Sequence, residues 1–481
     1  MRDVRAAFAV LPLVLALAGC ATSMSAPEAR APVAAATLPA LAPSASARPG
    51  ELSIERWWTS FSDPALERLI DEALERNLDL VAAAARVREA RARLDQARGA
   101  QAPRLDLQAQ SGRARRSGDG LPANASLIGS SHSISLVAGY EIDLWGRLAS
   151  ASDAARQRLL AEQWARASIA WSLTAQLAEA HFTLRAVQRQ VEISEAVRAS
   201  RAATLSLRRR EQSAGIGNEF DLRRAEAELA ATDATLVTLA RQRVDLEATL
   251  ALLAGRPLAE ISSVEAPRQA LDTTPFAARL PQGDAATMLL ARPDVREAEA
   301  QLAAAQADIA AARAATLPAI TLSGAIGSDV RSLSNLFSGP GMVWSIASSL
   351  SQAIFDGGQN RARVTEADAR ADAVLAGYRK VVLAAVLELR EAYADVDLTE
   401  QAALADRERV VALERARRLA ALGVANGGLN QLDLLDAERN AFQAQLDEAG
   451  AQRDQRLAQI ALFKALGGGH SGVVTLAANS H

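Results

Sequence analysis

Beyond its first twenty residues the chain has no run of 18 apolar residues, so any membrane crossing must be made of strands. It has a single cysteine, Cys20, which excludes an intramolecular disulfide. A formal net charge of −3 excludes a strongly basic nucleic-acid surface. The four histidines, His132, His181, His470 and His481, fall at no metal-ligand spacing. No G-x-S-x-G elbow and no Walker sequence occurs. The chain therefore offers no catalytic constellation, and neither enzyme activity nor a cofactor is expected.

Proline and glycine are missing where they matter most. Residues 147–213 contain neither, and residues 359–422 contain only Gly377. At 1.5 Å per residue the first stretch makes a rod of roughly 100 Å. Leu173, Leu177, Ala180, Leu184, Val187 and Val191 form a heptad-like seam, so these rods pack on other helices in coiled-coil fashion. Shorter helices are predicted at 77–99 and 219–254. Stacked end to end, they match one long rod.

Two halves of the chain repeat each other. At an offset of 215, Asp79 falls on Asp294, Arg98 on Arg313 and Pro103 on Pro318. At an offset of 212, residues 221–226 (DLRRAE) fall on 433–438 (DLLDAE), and Gly255 falls on Gly467. The unit is too long for a solenoid repeat and reads as one module, duplicated.

Between the helices the hydrophobic period changes to two. Residues 103–113 alternate at Leu105, Leu107 and Ala109, and residues 131–145 alternate from Ile134 to Leu144. The second copy supplies strands at 318–327 and 342–355, and the loops 115–130 and 328–341 are rich in Gly, Ser and Asn. Alternation fits a barrel with lipid outside and water inside, and equally a half-buried soluble sheet. Four strands cannot close a barrel. Eight, from two chains, give an interior that side chains nearly fill, whereas twelve leave an aqueous lumen, so a pore calls for a homotrimer.

The N-terminus reads as a targeting segment. Arg2 and Arg5 precede an apolar stretch that ends in LAGC. Residues 1–19 read as a signal peptide and Cys20 as the lipidated residue of a bacterial lipoprotein. Removing residues 1–19 takes away Arg2, Asp3 and Arg5 and leaves a net charge of about −4. Residues 20–50, rich in Ala, Pro and Ser, form a tether. The first repeat then spans 51–275, the second 276–467, and a tail 468–481.

The segments RWWTSFSDPALERLIDEALERNLDL (56–80), ARVREARA (85–92), YEIDLWGRLASA (140–151), LARPDVREAEAQL (290–302) and LSQAIFDGG (350–358) follow LAGC in that order. Together they resemble the TolC-like outer membrane factors, specifically the NodT-type outer-membrane efflux lipoproteins of RND-type multidrug systems. The resemblance covers nearly the whole chain. It implies a mostly α fold with a membrane β-barrel: a trimeric twelve-stranded barrel continued by a periplasmic α-helical barrel. It also implies an outer-membrane location with a large periplasmic portion, a periplasmic adaptor, an inner-membrane pump, and passive export of drugs or other small solutes. The other reading is a lipid-anchored scaffold rod without conductance. Trp57, Trp58 and Phe61 would lie in a periplasmic collar as packing residues.

The same resemblance directs attention to the helix-hairpin tips. Gly215, Gly217 and Asn218 mark the first, and Gly423, Gly427 and Gly428 the second; these are the candidate adaptor contacts. Asp433 and Asp436 begin the last helix, where the family closes its tube, and are the candidate gate. Asp433 matches Asp221 in the first repeat, whereas Asp436 matches Arg224, so the charge at 436 is particular to the second tip. The competing role for these acids is helix capping, with Asn430 as a cap residue.

Overall fold

A computed structural model describes residues 54–115, 117, 127–257 and 289–467. Cys20, the signal peptide, the tether and the 468–481 tail lie outside the described residues.

The chain opens with a 3-10 segment, Ile54–Phe61, then α1 (Pro64–Arg76) and α2 (Leu78–Gly99). Strands β1 (Arg104–Arg115) and β2 (Ile128–Ile142) precede the rods α3 (Arg147–Ser213) and α4 (Glu219–Ala254). The second half runs α5 (Pro293–Ala314), β3 (Ala319–Val330), β4 (Met342–Ser351), α6 (Gln359–Ala425) and α7 (Gln431–Leu466).

The duplication is metrically close. Helices α2 and α5 each have 22 residues, β1 and β3 each 12, α3 and α6 each 67, and α4 and α7 each 36. The offset is 215 from α2 through β1 and 212 from α3 onward, so the three-residue drift falls in the hairpin and second strand. Left-handed glycines recur in register: Gly146 and Gly358 before the long rods, Gly215 and Gly427 at the tips, Gly255 and Gly467 after the last helices. Gly146 and Gly358 offer no side chain to cap α3 and α6. Asp143 caps α3 instead, accepting from the backbone N–H of Leu148 and Ala149, and Asp356 accepts from Gly358 and Asn360 before α6.

Strands and loops divide somewhat differently from the sequence expectation. Pairing Arg113↔Ser130 and Arg115↔Ile128 carries the first hairpin into the Gly- and Ser-rich stretch, because small residues do not prevent a backbone ladder. At the other end β2 stops at Ile142 and β4 at Ser351, since Asp143 and Asp356 leave the ladder to cap helices. Gly377 sits inside α6 without ending it.

Helix α3 packs along α2 and α5 nearer the sheet, along α4 toward its far end, and against α7; α6 packs on α5 and α7. The core lies where short helices abut. Trp57, Leu66, Ile70, Leu177, Phe182, Ile460 and Phe463 form one cluster, and Val295, Tyr378, Val382, Leu389, Leu462 and Leu466 a second. Trp57 stacks on Phe463 at 5.3 Å between centroids, so the collar aromatics are packing residues as expected. Apolar side chains on the rods, among them Leu383, Leu387, Leu398 and Val411, stay exposed in the single chain, as surfaces awaiting neighbouring rods do.

Candidate functional site

The four strands form one antiparallel sheet in the order β1-β2-β3-β4, with β1 and β4 at open edges. Register sorts its residues onto two unlike faces. One row joins Leu107, Leu136, Ile326 and Trp344, and the next joins Ala109, Ile134, Ser328 and Met342. Rows on the other face join Gln108, Ser135, Gly327 and Val343, then Asp106, Val137, Ala325 and Ser345. The first face is largely aliphatic and aromatic, and the second is short, hydroxylic and amide-bearing. Every strand carboxylate (Asp106, Glu141 and Asp329) lies on the second face. An apolar exterior and a small-residue polar interior are what a water-filled membrane barrel needs.

At the foot of the sheet Glu141 accepts two hydrogen bonds from Arg147, at 3.1 and 2.7 Å. Trp145 Nε1 donates to the carbonyl of Pro318, tying the two strand pairs where they pass into helices.

The two tips sit at the opposite ends of the long rods. At the first, the backbone N–H groups of Ile216 and Gly217 both donate to Glu211 O; at the second, those of Gly428 and Leu429 both donate to Gly423 O. Gly215 and Gly427 take φ of 72° and 73°, a conformation that side chains disfavour. Asn218 caps α4 by accepting from the N–H of Phe220. Asn430 caps α7 more completely: it accepts from Asp433 N at 2.9 Å, while the Asp433 carboxylate accepts from Asn430 N at 3.2 Å. Asp433 thus holds the cap that sequence reading weighed against a gate. Asp436 is exposed and pairs with Arg439 at 3.2 Å.

A cleft between the two tips was not legible in the sequence. Arg201, Arg208, Asp221, Arg224, Glu228 and Glu438 line it, drawn from α3, α4 and α7. Arg201 donates to Glu228 O and to Thr232 Oγ1 and lies over the Phe442 ring. Burial pushes the Glu438 carboxyl above its usual range, against the pull of Arg417 and Arg201. Asp221 and Arg224 belong to this cleft, whereas their counterparts Asp433 and Asp436 do not.

Nearer the collar is a buried ionic group that sequence reading also missed. Asp63 caps α1 with Oδ1, and its Oδ2 accepts from His181 Nε2 at 2.9 Å and Arg185 Nη1 at 2.7 Å. Burial alone would raise the Asp63 carboxyl; the His181 hydrogen bond and charge, the Leu66 N–H and Arg185 outweigh it and hold the group well below its ordinary value. The Asp63-Pro64 pair was the one available signal, marking a helix start. Among the described residues no His, Cys, Asp and Glu cluster is arranged to hold a metal, and no helix is long and apolar enough to cross a membrane.

The family described as outer membrane efflux protein matches residues 69–256 and 286–468, the two repeats found above. The pyoverdine export outer membrane protein OpmQ of Pseudomonas putida is 34% identical over 473 residues, covering 96% of this chain and 97% of that protein. The toluene efflux pump outer membrane protein TtgI of Pseudomonas putida is 34% identical over 85% of this chain and 87% of its own length. Among solved structures, the outer-membrane channel OprN superposes with a TM-score of 0.83 at 30% identity, covering 92% of this chain and 99% of that one.

The chain belongs to the outer membrane efflux protein family. It is an outer-membrane efflux channel, not an enzyme, with a barrel in the outer membrane and a large helical portion in the periplasm. Three sheets close one twelve-stranded barrel, which uses the open edges of β1 and β4. Channels of this kind work as trimers with an adaptor and an inner-membrane pump.

Proposed function

We propose that the chain is an unselective exit duct, and that its pump, of the RND type, chooses the cargo. The observation that carries this is the inner face of the sheet. Apart from Arg104 and Glu141 at its foot and Asp106 and Asp329 above them, its described strand residues are Ser, Thr, Gly, Ala, Val and Gln. Short, mostly neutral side chains leave the lumen open and offer no aromatic platform for cargo. Relatives named for pyoverdine export and for toluene efflux share similar identity with this chain, which supports cargo choice outside the duct. On this reading Cys20 carries the lipid that anchors the chain to outer-membrane lipid. The tips around Gly215, Gly217, Asn218, Gly423, Gly427 and Gly428 meet the periplasmic adaptor. Rings of Asp433 and Asp436 from three chains line the closed end.

The test is conductance of the purified trimer in planar bilayers. A duct gives stable single channels with weak discrimination among small ions once opened. Strong selectivity that survives removal of the tip carboxylates would place a filter in the barrel and contradict the reading.

A further inference from the structure

The outward face of the sheet is apolar for most of its height but not at its top. Along β1 the outward residues are Leu105, Leu107, Ala109, Ser111, Arg113 and Arg115. The neighbouring outward residues of β2, read from the foot, are Ile142, Tyr140, Ala138, Leu136, Ile134, His132, Ser130 and Ile128. β1 passes from aliphatic through Ser111 to the cationic Arg113 and Arg115, while β2 passes from aliphatic through His132 to Ser130 and Ile128; Ser111 Oγ and His132 Nδ1 are joined by a 2.9 Å hydrogen bond. The paired strand ends at Arg115 and Ile128 are the ends of β1 and β2 opposite those that join the helices, so this cationic end faces the outer leaflet.

The heights agree. A rise of about 3.4 Å per residue and a tilt near 40° give about 2.6 Å of height per residue. Ten residues separate Ile142 from His132, which is about 26 Å, close to the ~25 Å apolar band of an outer-membrane barrel. Arg113 and Arg115, paired with Ser130 and Ile128, stand about 5 and 10 Å above that edge, at headgroup level. Lipid-facing arginine costs about 2–4 kcal/mol at the bilayer midplane and about 0–1 near its surfaces, so this is where the pair is tolerated. Both arginines are exposed, and no partner for either is found among the described residues. On this face the described strand residues include no carboxylate and no other side chain with a permanent charge.

We propose that Arg113 and Arg115, with His132 beside them, bind the phosphate groups of an anionic lipid of the outer leaflet, a phosphorylated glycolipid of the lipid A type. Two guanidinium groups on alternate residues stand about 7 Å apart along the strand. Each is suited to bidentate contact with a phosphate. The acyl chains of such a lipid would lie on Ala109, Ile134 and Leu136 directly below. The proposal rests on the barrel, not on the gate or the tips, so it stands or falls separately from them.

The experiment uses the full-length trimer in detergent and measures binding of diphosphoryl lipid A by native mass spectrometry. Dephosphorylated lipid A and inorganic phosphate serve as comparison and competitor. Diphosphoryl lipid A should be retained, the dephosphorylated form should bind at least tenfold more weakly, and millimolar inorganic phosphate should not displace it. Arg113→Gln with Arg115→Gln should weaken retention by roughly 25-fold, about fivefold per arginine, and leave single-channel conductance unchanged. Arg113→Lys with Arg115→Lys, which keeps the charge but loses the bidentate fork, should restore only part of the binding. Equal binding of the phosphorylated and dephosphorylated lipids by the unaltered trimer would overturn the proposal, whether or not the variants assemble. So would displacement by inorganic phosphate, which would mark a site for free anions.

Discussion

Asn77 and Arg292 occupy the same point of the two repeats and tie the same joint with different chemistry. Asn77 Nδ2 donates to the carbonyl of Leu253 at 2.9 Å, and Arg292 Nη1 donates to the carbonyl of Ala465 at 3.0 Å. Leu253 and Ala465 are themselves equivalent, each near the end of its repeat's last helix. Each strap therefore closes a module by joining the first turn of one helix to the last turn of another. Asn77 does more, because its Oδ1 also accepts from the N–H groups of Asp79 and Leu80. Arg292 caps nothing, and its buried charge is matched by Asp294 and Glu388.

Asn77→Ala removes a cap and leaves a part-buried carbonyl without its donor, a loss of about 1–2 kcal/mol. Thermal unfolding of the purified trimer should begin lower than in the unaltered protein. Asn77→Asp keeps the cap but loses the donor, and should fall between the two. Identical melting of all three proteins would remove the strap from the account.

The Asp63 group predicts an acid-sensitive collar. Its ordinary carboxyl value is 3.8, and its folded value is lower. A depressed carboxylate contributes its full stabilisation above the unfolded value and loses it as pH falls toward the folded one. The collar should therefore be insensitive to Asp63 titration above about pH 5 and weaken below about pH 4. Asp63→Asn strands His181 and Arg185 beside a neutral amide and should cost about 3–5 kcal/mol near neutrality. Denaturant unfolding across pH is the measurement. An unaltered protein as stable at pH 3 as at pH 6, relative to Asp63→Asn, would contradict this linkage.

Much of this architecture could be read from residues. The absence of Gly and Pro between 147 and 213 gave one rod, and Asp79 over Asp294 gave the duplication. Alternation from Ile134 to Leu144 gave a strand with two unlike faces. What escaped was contact between residues far apart in the chain. Asp63 and His181 are 118 positions apart, and nothing in either neighbourhood names the other. The cleft at Arg201 and Glu438 likewise joins two repeats. His181 falls on Tyr393 at the same offset of 212, but alignment of repeats cannot show that one member carries a hydrogen bond.

The tips exchange bulk between repeats. The first places Glu211 opposite Gly217, and the second places Gly423 opposite Leu429, at equivalent positions. A Cβ on Gly423 would stand 2.6 Å from Leu429 Cδ1, and a Cβ on Gly217 would stand 2.5 Å from Gln212 N. Gly423→Val should distort the second tip and lower efflux in cells while the trimer still assembles. Adding Leu429→Gly clears the space and should restore part of the efflux. Charge or bulk at Gly217 meets backbone and should have no such rescue at the first tip. Full drug resistance in cells carrying Gly217→Glu and in cells carrying Gly423→Val would argue against adaptor contact at both tips.

The two acids that open α7 separate into two roles. Asp433 is engaged in the reciprocal cap with Asn430, so Asp433→Ala should destabilise the tip by about 0.5–2 kcal/mol. Asp221, its counterpart, faces the inter-tip cleft, which fits acids kept at both places for structural reasons. Asp436 caps nothing. Its exposed pair with Arg439 is worth at most about 1 kcal/mol, too little to explain the acid by stability. Three such carboxylates around a narrow axis would concentrate cations and repel anions at low salt. Asp436→Ala and Asp436→Arg should therefore shift cation selectivity or conductance in planar bilayers, the arginine variant more strongly. Arg224→Ala, at the equivalent place in the first repeat, should leave both unchanged. Salt is the control, because a field effect shrinks as ionic strength rises from 0.01 M to 1 M and the Debye length falls from about 30 to 3 Å. If both Asp436 variants conduct and select as the unaltered channel does, its carboxylate is a surface charge and the constriction is set by other groups.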